Sequence, residues 1–137
     1  MSVDKLHAQA ERWLAQATDD LESAQLLTTA GKHATAAFLA QQAAEKAIKA
    51  VGFALDGDPW GHSITNLIDE LSSEVGALVK PLRNAGQRLD KLYIPTRYPD
   101  ALPEMVPAQA YSAQEANAAL EDARLIRSAV ATWLAQR

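Results

Sequence analysis

The sequence contains no cysteine. That absence excludes a disulfide framework, a thiolate zinc site and a thiol nucleophile. Basic residues are not in excess either: 13 Lys and Arg against 17 Asp and Glu leave a formal charge of −4. This is the wrong sign for a chain whose main task is to coat phosphate backbone, so nucleic acid is not the expected partner. Nowhere do about 18 apolar residues follow one another, as a membrane span requires. The opening Met-Ser-Val-Asp-Lys-Leu-His has no apolar stretch before a small-residue cleavage site, so the expectation is a cytoplasmic protein without membrane contact. The six glycines are scattered and build neither a Walker nor a Rossmann pattern. The three histidines stand far apart, without His-x3-His or Glu-x-x-His spacing. No metal and no cofactor are expected, and any nucleotide must be held by side chains and a helix end.

What the chain does have is 48% hydrophobic and 22% charged residues over 137 positions. Such a composition folds, and the length supports one domain, residues 1–137, rather than two. From Leu6 to Ala24 the apolar residues Leu6, Ala10, Trp13, Leu14, Ala17, Leu21 and Ala24 recur at helical spacing. This predicts an amphipathic helix that stops near Thr28 to Gly31. The segment His33 to Leu55 is apolar around most of its circumference, as a central helix should be. Ala36, Ala40, Ala43, Ala47, Ala50 and Ala54 form a flat strip that admits a close neighbour. Phe38, Gln42, Glu45, Lys49 and Phe53, with Lys46 beside them, make a mixed face.

After the turn residues Gly57, Asp58, Pro59 and Gly61, Ser63 can cap a short helix carrying Ile64, Leu67, Ile68 and Leu71. A further helix is expected from about Val75, with the stripe Val75, Leu78, Val79, Leu82, Ala85, Leu89 and Leu92. Pro81 should kink it or restart it. Pro95, Pro99, Pro103 and Pro107 predict a long loop from Ile94 to Ala110 without helix or central strand. Loops longer than about 12 to 15 residues are uncommon in compact domains and usually functional or disordered. Ser112-Ala113-Gln114-Glu115 reads as a capping box opening a last helix with Ala116, Ala119, Leu120, Ala123, Ile126, Val130 and Trp133 on one face. No strand alternation and no repeat is evident. The expected fold is all-α, an antiparallel up-and-down bundle of four long helices plus one short one.

Three segments in this order carry a resemblance: residues 38–50, Phe-Leu-Ala-Gln-Gln-Ala-Ala-Glu-Lys-Ala-Ile-Lys-Ala; Trp60-Gly61-His62-Ser63-Ile64; and Tyr93-Ile94-Pro95-Thr96-Arg97-Tyr98-Pro99-Asp100-Ala101. Together they resemble the HEPN domain, short for higher eukaryotes and prokaryotes nucleotide-binding, over nearly the whole chain. The resemblance implies a helical bundle that commonly forms a homodimer, often encoded beside a small nucleotidyltransferase. Some members are toxins, and some cleave RNA with an Arg and a His four to six residues apart on one helix.

That catalytic pair is not found. After Arg83 the positions for the His hold Arg88, Leu89 and Asp90, and no Arg stands at the required distance before His7, His33 or His62. Arg cannot exchange protons near neutral pH, so ribonuclease chemistry is not the leading reading. The protein is read as a non-enzyme. The nucleotide contacts, for ATP or GTP, are expected at Gln42, Lys46, Lys49, His62, Arg97, Tyr98 and Asp100. Arg97, Tyr98 and Asp100 offer a guanidinium fork, an aromatic plane and a carboxylate, which suit phosphate, base and ribose hydroxyl.

Plainer readings stand beside these. Glu45 and Lys49 form an i,i+4 pair on a solvated or dimer face. Tyr98 plugs the bundle while Arg97 pairs with Asp100 or a helix C-terminus. His62 bonds the neighbouring loop and holds Trp60 against the bundle, or stands at a helix start that favours an anion. The leading function is a nucleotide-binding or partner-binding dimer acting with a separately encoded nucleotidyltransferase. The alternatives are an RNA-cleaving toxin using Arg83, Arg88 and His62, and a purely structural dimer.

Overall fold

The computed structural model describes residues 1–71 and 73–137, with side chains at all of these except 74, 76 and 79. Helix α1 spans Val3–Thr29. It starts three residues before the first apolar position of the stripe because the Ser2 hydroxyl accepts from the Lys5 amide at 3.3 Å, satisfying one of the orphan donors of the first turn. Its end is a tight reversal at Ala30 to Lys32, where Gly31 takes a φ of +81° that a residue with a β-carbon rarely adopts. Helix α2, His33–Ala54, returns along α1.

The alanine strip does what its spacing predicts. Ala36, Ala40, Ala43, Ala47 and Ala50 are all 0–1% exposed, and α2 packs against α1 and α6 as the centre of the molecule. Small side chains bring the helix axes close. The larger transfer energy comes from Leu21, Ile48, Val51, Leu120, Ile126 and Val130, buried around the strip at about 1.5–3 kcal/mol each. At the far end of α2, a β-carbon on Gly52 would stand 3.0 Å from the Pro59 ring, so a larger residue would push the following turn outward by a few tenths of an ångström.

Helix α3, Ile64–Asp69, buries Ile64, Leu67 and Ile68 at i, i+3 and i+4 behind its Ser63 cap. A 3-10 turn at Ser73–Val75 leads into α4, Gly76–Asp90. Of the kink or restart expected at Pro81, the restart does not occur: one continuous helix carries the proline in its second turn. Val75, Leu82, Ala85 and Leu89 are buried as the stripe requires, while Leu78 and Leu92 are partly so. The expected stripe residue Val79 lies outside the described side chains.

The segment 94–110 differs from expectation in detail. It holds a 3-10 turn at Pro99–Ala101 and a four-residue helix, α5, at Pro107–Ala110, packed against α2. Each begins with a proline. The missing N–H of Pro99 or Pro107 has no partner in a first turn anyway, so residues that break a helix interior start these two. Helix α6, Ala113–Ala135, opens with the predicted capping box, the Glu115 amide donating to Ser112 Oγ and the Ser112 amide to Glu115 Oε1, both at 3.1 Å. The fold is an all-α bundle of four long helices, α1, α2, α4 and α6, with α3 and α5 as short additions. No strand occurs among the described residues.

Candidate functional site: a buried carboxylate joined to an arginine cage

The polar face of α2 points inward. Gln41 and Glu45 are 0% and 4% exposed, so their polar atoms need hydrogen-bond partners inside the protein. They have them. Gln41 Nε2 lies 3.4 Å from Glu45 Oε1, His62 Nδ1 lies 3.2 Å from the same oxygen, and Lys49 Nζ lies 3.2 Å from Oε2. Gln41 also donates to the His62 carbonyl at 3.2 Å, and Gln42 donates to Gln41 Oε1 at 2.8 Å. The pairing of Glu45 with Lys49 agrees with the sequence, but the face is not solvated: both side chains sit in the wall of the bundle.

From His62 the network continues through rings. The imidazole stacks on Tyr93 with centroids 4.7 Å apart and planes at 18°. The Arg97 guanidinium carbon lies 4.4 Å from the Phe38 ring centroid, 4.5 Å from that of Tyr93 and 4.8 Å from that of Tyr98. Arg97 Nε donates to the Tyr93 carbonyl at 2.9 Å, which fixes the plane of the fork. The face of a ring attracts a cation, so three rings hold the charge without neutralising it. Thr96, 3% exposed, anchors the adjoining turn by donating to the Leu92 carbonyl.

Asp90 fixes the other side. Its carboxylate accepts from Ser63 Oγ at 3.0 Å, from the Ile64 amide at 2.6 Å and from the Thr65 amide at 3.1 Å. The start of α3, expected to favour an anion, is thus occupied by the protein's own carboxylate from the end of α4. His62, one residue before the cap, is held over Tyr93 as a result.

The expected site residues divide. Gln42, Lys49, His62, Arg97 and Tyr98 belong to one connected set that also includes Phe38, Gln41, Glu45 and Tyr93. Lys46 points elsewhere: its Nζ meets Asp20 at 2.5 Å, and it lines a groove of roughly 660 Å³ with Gln9, Arg12, Trp13 and Gln16. Lys49 joins the two, lying 5.9 Å from the Trp13 ring, which itself packs 5.0 Å from Phe53. Asp100 is exposed in the 3-10 turn and, among the described residues, makes no ion pair or hydrogen bond with Arg97. Tyr98 does not plug the bundle, being 49% exposed, and Trp60 is not held by His62, being 85% exposed.

Sequence reasoning missed Gln41, Tyr93, Asp90 and Asp20. Gln41 carried a signal, since it stands one turn before Glu45 on the innermost side of α2. Arg83 and Arg88, the arginines considered for catalysis, are each held in a two-bond grip, on Asp69 at 2.9 and 3.0 Å and on Asp122 at 2.8 Å twice. The hydrogen bonds from Arg83 hold the Asp69 carboxyl below its ordinary value of 3.8, desolvation opposing them in part and the charge of Arg83 adding a lesser lowering. No group of three or more His, Asp or Glu side chains converges among the described residues, and no helix there is long and apolar enough to cross a membrane.

Comparison with known proteins gives a consistent result. Residues 10–133 match the HEPN domain family. The fold is similar to TT1696 from Thermus thermophilus, with 43% identity, a TM-score of 0.87 and coverage of 90% of this chain and 97% of that one. It is also similar to ST0689, described as an archaeal HEPN homologue (32% identity, TM-score 0.75, 91% and 97% covered). A HEPN domain protein from Thermotoga maritima shares 30% identity at a TM-score of 0.68, with 92% and 99% covered. Among curated proteins no sequence matches significantly. With the family match running over most of the chain, and the helical order and the His62 to Arg97 segment in place, this protein belongs to the HEPN domain family.

Proposed function

We propose that the protein works by binding rather than by catalysis, taking a nucleotide such as ATP or GTP on the face that runs from Lys49 through His62 to Arg97 and Tyr98. The observation that carries this is the state of Arg97. Its guanidinium is oriented by three rings and a carbonyl, yet no carboxylate neutralises it among the described residues. A fixed, charged fork loses little freedom on meeting a phosphate, and the exposed Tyr98 ring beside it offers a stacking plane for a base. Lys49 and His62 extend the face, although the buried carboxylate of Glu45 restrains both. Lys46 serves the adjoining groove, where Trp13 and Arg12 provide a second plane and charge. Asp100 keeps only a peripheral role.

The non-enzymatic reading draws support from Arg83 and Arg88. Each is engaged by a carboxylate, which leaves His62 without an uncommitted arginine on α4 to act beside it. Calorimetry with ATP and GTP tests the nucleotide half: saturable heat at millimolar ligand or below, lost in Arg97→Met, is expected, and no heat would refute it. Labelled RNA incubated with the protein and its His62→Ala variant checks the enzymatic alternative, and cleavage that disappears in the variant would displace this reading.

A partner-binding role has its own support. Ile94, Tyr98, Met105 and Val106 are 43–52% exposed along one loop, and Trp60 is more exposed still. Large apolar side chains gathered this way suit a protein surface. The reading assigns them to a homodimer contact or to a separately encoded nucleotidyltransferase. Sedimentation of the protein alone and with the product of the neighbouring gene distinguishes these from a module that binds nothing.

A further inference from the structure

Most of the arginines have an evident use. Arg83 and Arg88 are clamped by carboxylates, Arg97 is caged by rings, and Arg137 lies 4.6 Å from the Trp133 centroid. Arg124 and Arg127 differ. They face α1 across a groove of roughly 550 Å³ on the α1 and α6 side of the bundle, with Leu21, Gln25 and Leu26 opposite and Ser128 beside them. Positions 124, 127 and 128 are i, i+3 and i+4 on α6, and 21 and 25 are i and i+4 on α1, so each set shares a face, with Leu26 at its edge.

Arg124 Nη2 donates to Gln25 Oε1 at 2.6 Å, which holds the guanidinium across the groove. Arg127 is the less satisfied of the two: its Nε is buried without an acceptor, and it forms no ion pair or ring contact among the described residues. Glu22 lines the same groove yet ion-pairs with neither arginine. A buried donor lacking an acceptor is unfavourable, so an anion that draws the Arg127 guanidinium toward the groove relieves a defect of the empty protein. Two apolar side chains line it among the polar ones. Leu21 forms the floor at 6% exposed, while Leu26 stands 72% exposed at the rim.

We propose that this groove binds the phosphate group of a small organic phosphate, with Arg124 and Arg127 as paired forks, Ser128 as a further donor, and the organic part against Leu21 and Leu26. Two guanidiniums on adjacent turns present many N–H groups over a short span, which matches a group with three free oxygens better than a planar carboxylate. The site is separate from the Arg97 cage and does not depend on it.

The test follows the Nε–Hε signals of the arginines by NMR in the intact protein, titrated with phenyl phosphate, inorganic phosphate and benzoate in turn. The expected result is a saturable shift of the Arg124 and Arg127 signals, tightest for phenyl phosphate and weakest for benzoate, with Arg83 and Arg88 unmoved. Arg127→Gln should weaken phenyl phosphate, read at the Arg124 signal, at least about tenfold while retaining the thermal transition, and Arg83→Gln should leave it unchanged. Equal affinity for benzoate, a parallel drift of all arginine signals, or no shift at millimolar phenyl phosphate would each overturn the proposal.

Discussion

Helix α2 and the segment from Leu92 to Val106 are built on opposite plans, although Phe38, Glu45 and His62 tie one to the other. On α2 small side chains and a few branched ones pack the centre of the bundle, and even Gln41 and Glu45 are enclosed with hydrogen-bond partners. The loop keeps large apolar side chains outside, buries a threonine, and holds its charge with rings instead of an opposite charge. A closed region of this kind resists change and specifies the fold. An open one stores unused binding capacity on a rigid support, which is where recognition is placed most readily.

Variants on the two regions should therefore separate stability from binding. The largest effect is expected for Glu45→Ala, which strands Lys49 and the Gln41 amide in the bundle wall. A loss of about 3 kcal/mol should appear in denaturant melts, at the low end for a broken buried pair because Lys49 can reach solvent. Ala47→Leu comes next: extra methylenes in the α1 and α6 contact should destabilise by about 2 kcal/mol in the same melts. A neutral outcome for both would erase the contrast.

Arg97→Met should cost stability only about 1 kcal/mol, the scale of a partly exposed cation over aromatic rings. It should nevertheless remove nucleotide binding in calorimetry. A melt as damaged as that of Glu45→Ala would mean that the cage is a structural plug. The smallest effect concerns Asp69, outside both regions. Because its folded carboxyl titrates below 3.8, the stability given by the Arg83 pair is present above that value and fades as pH falls through the lower folded one. Carboxyl NMR shifts in the protein and in Arg83→Met should show the Asp69 midpoint moving upward in the variant.

The long helices were legible because periodicity and caps act locally: the alanines of α2, Gly31, Ser63 and the Ser112 to Glu115 box all behave as their positions imply. The short turns at Pro99 and Pro107 were not, since a proline reads as a breaker until its place at the first position is known. Glu45 was misread for a related reason. An i,i+4 pair with Lys49 looks the same on a wet surface and in a bundle wall, and only the packing of α3 and the loop decides. The Arg97 and Tyr98 contact could be seen in adjacent residues, whereas Phe38, His62 and Tyr93 come from three separate segments. Asp100 shows the opposite failure: proximity in sequence suggested a partnership that the backbone turn does not make.

The carboxylate of Asp90 carries one more consequence. A six-residue helix is too brief to persist in water unaided, and α3 takes its terminal bonds from a side chain 26 positions further along. During synthesis, then, α3 emerges before the group that secures it. The amides of Ile64 and Thr65 meet that carboxylate only once the end of α4 has left the ribosome.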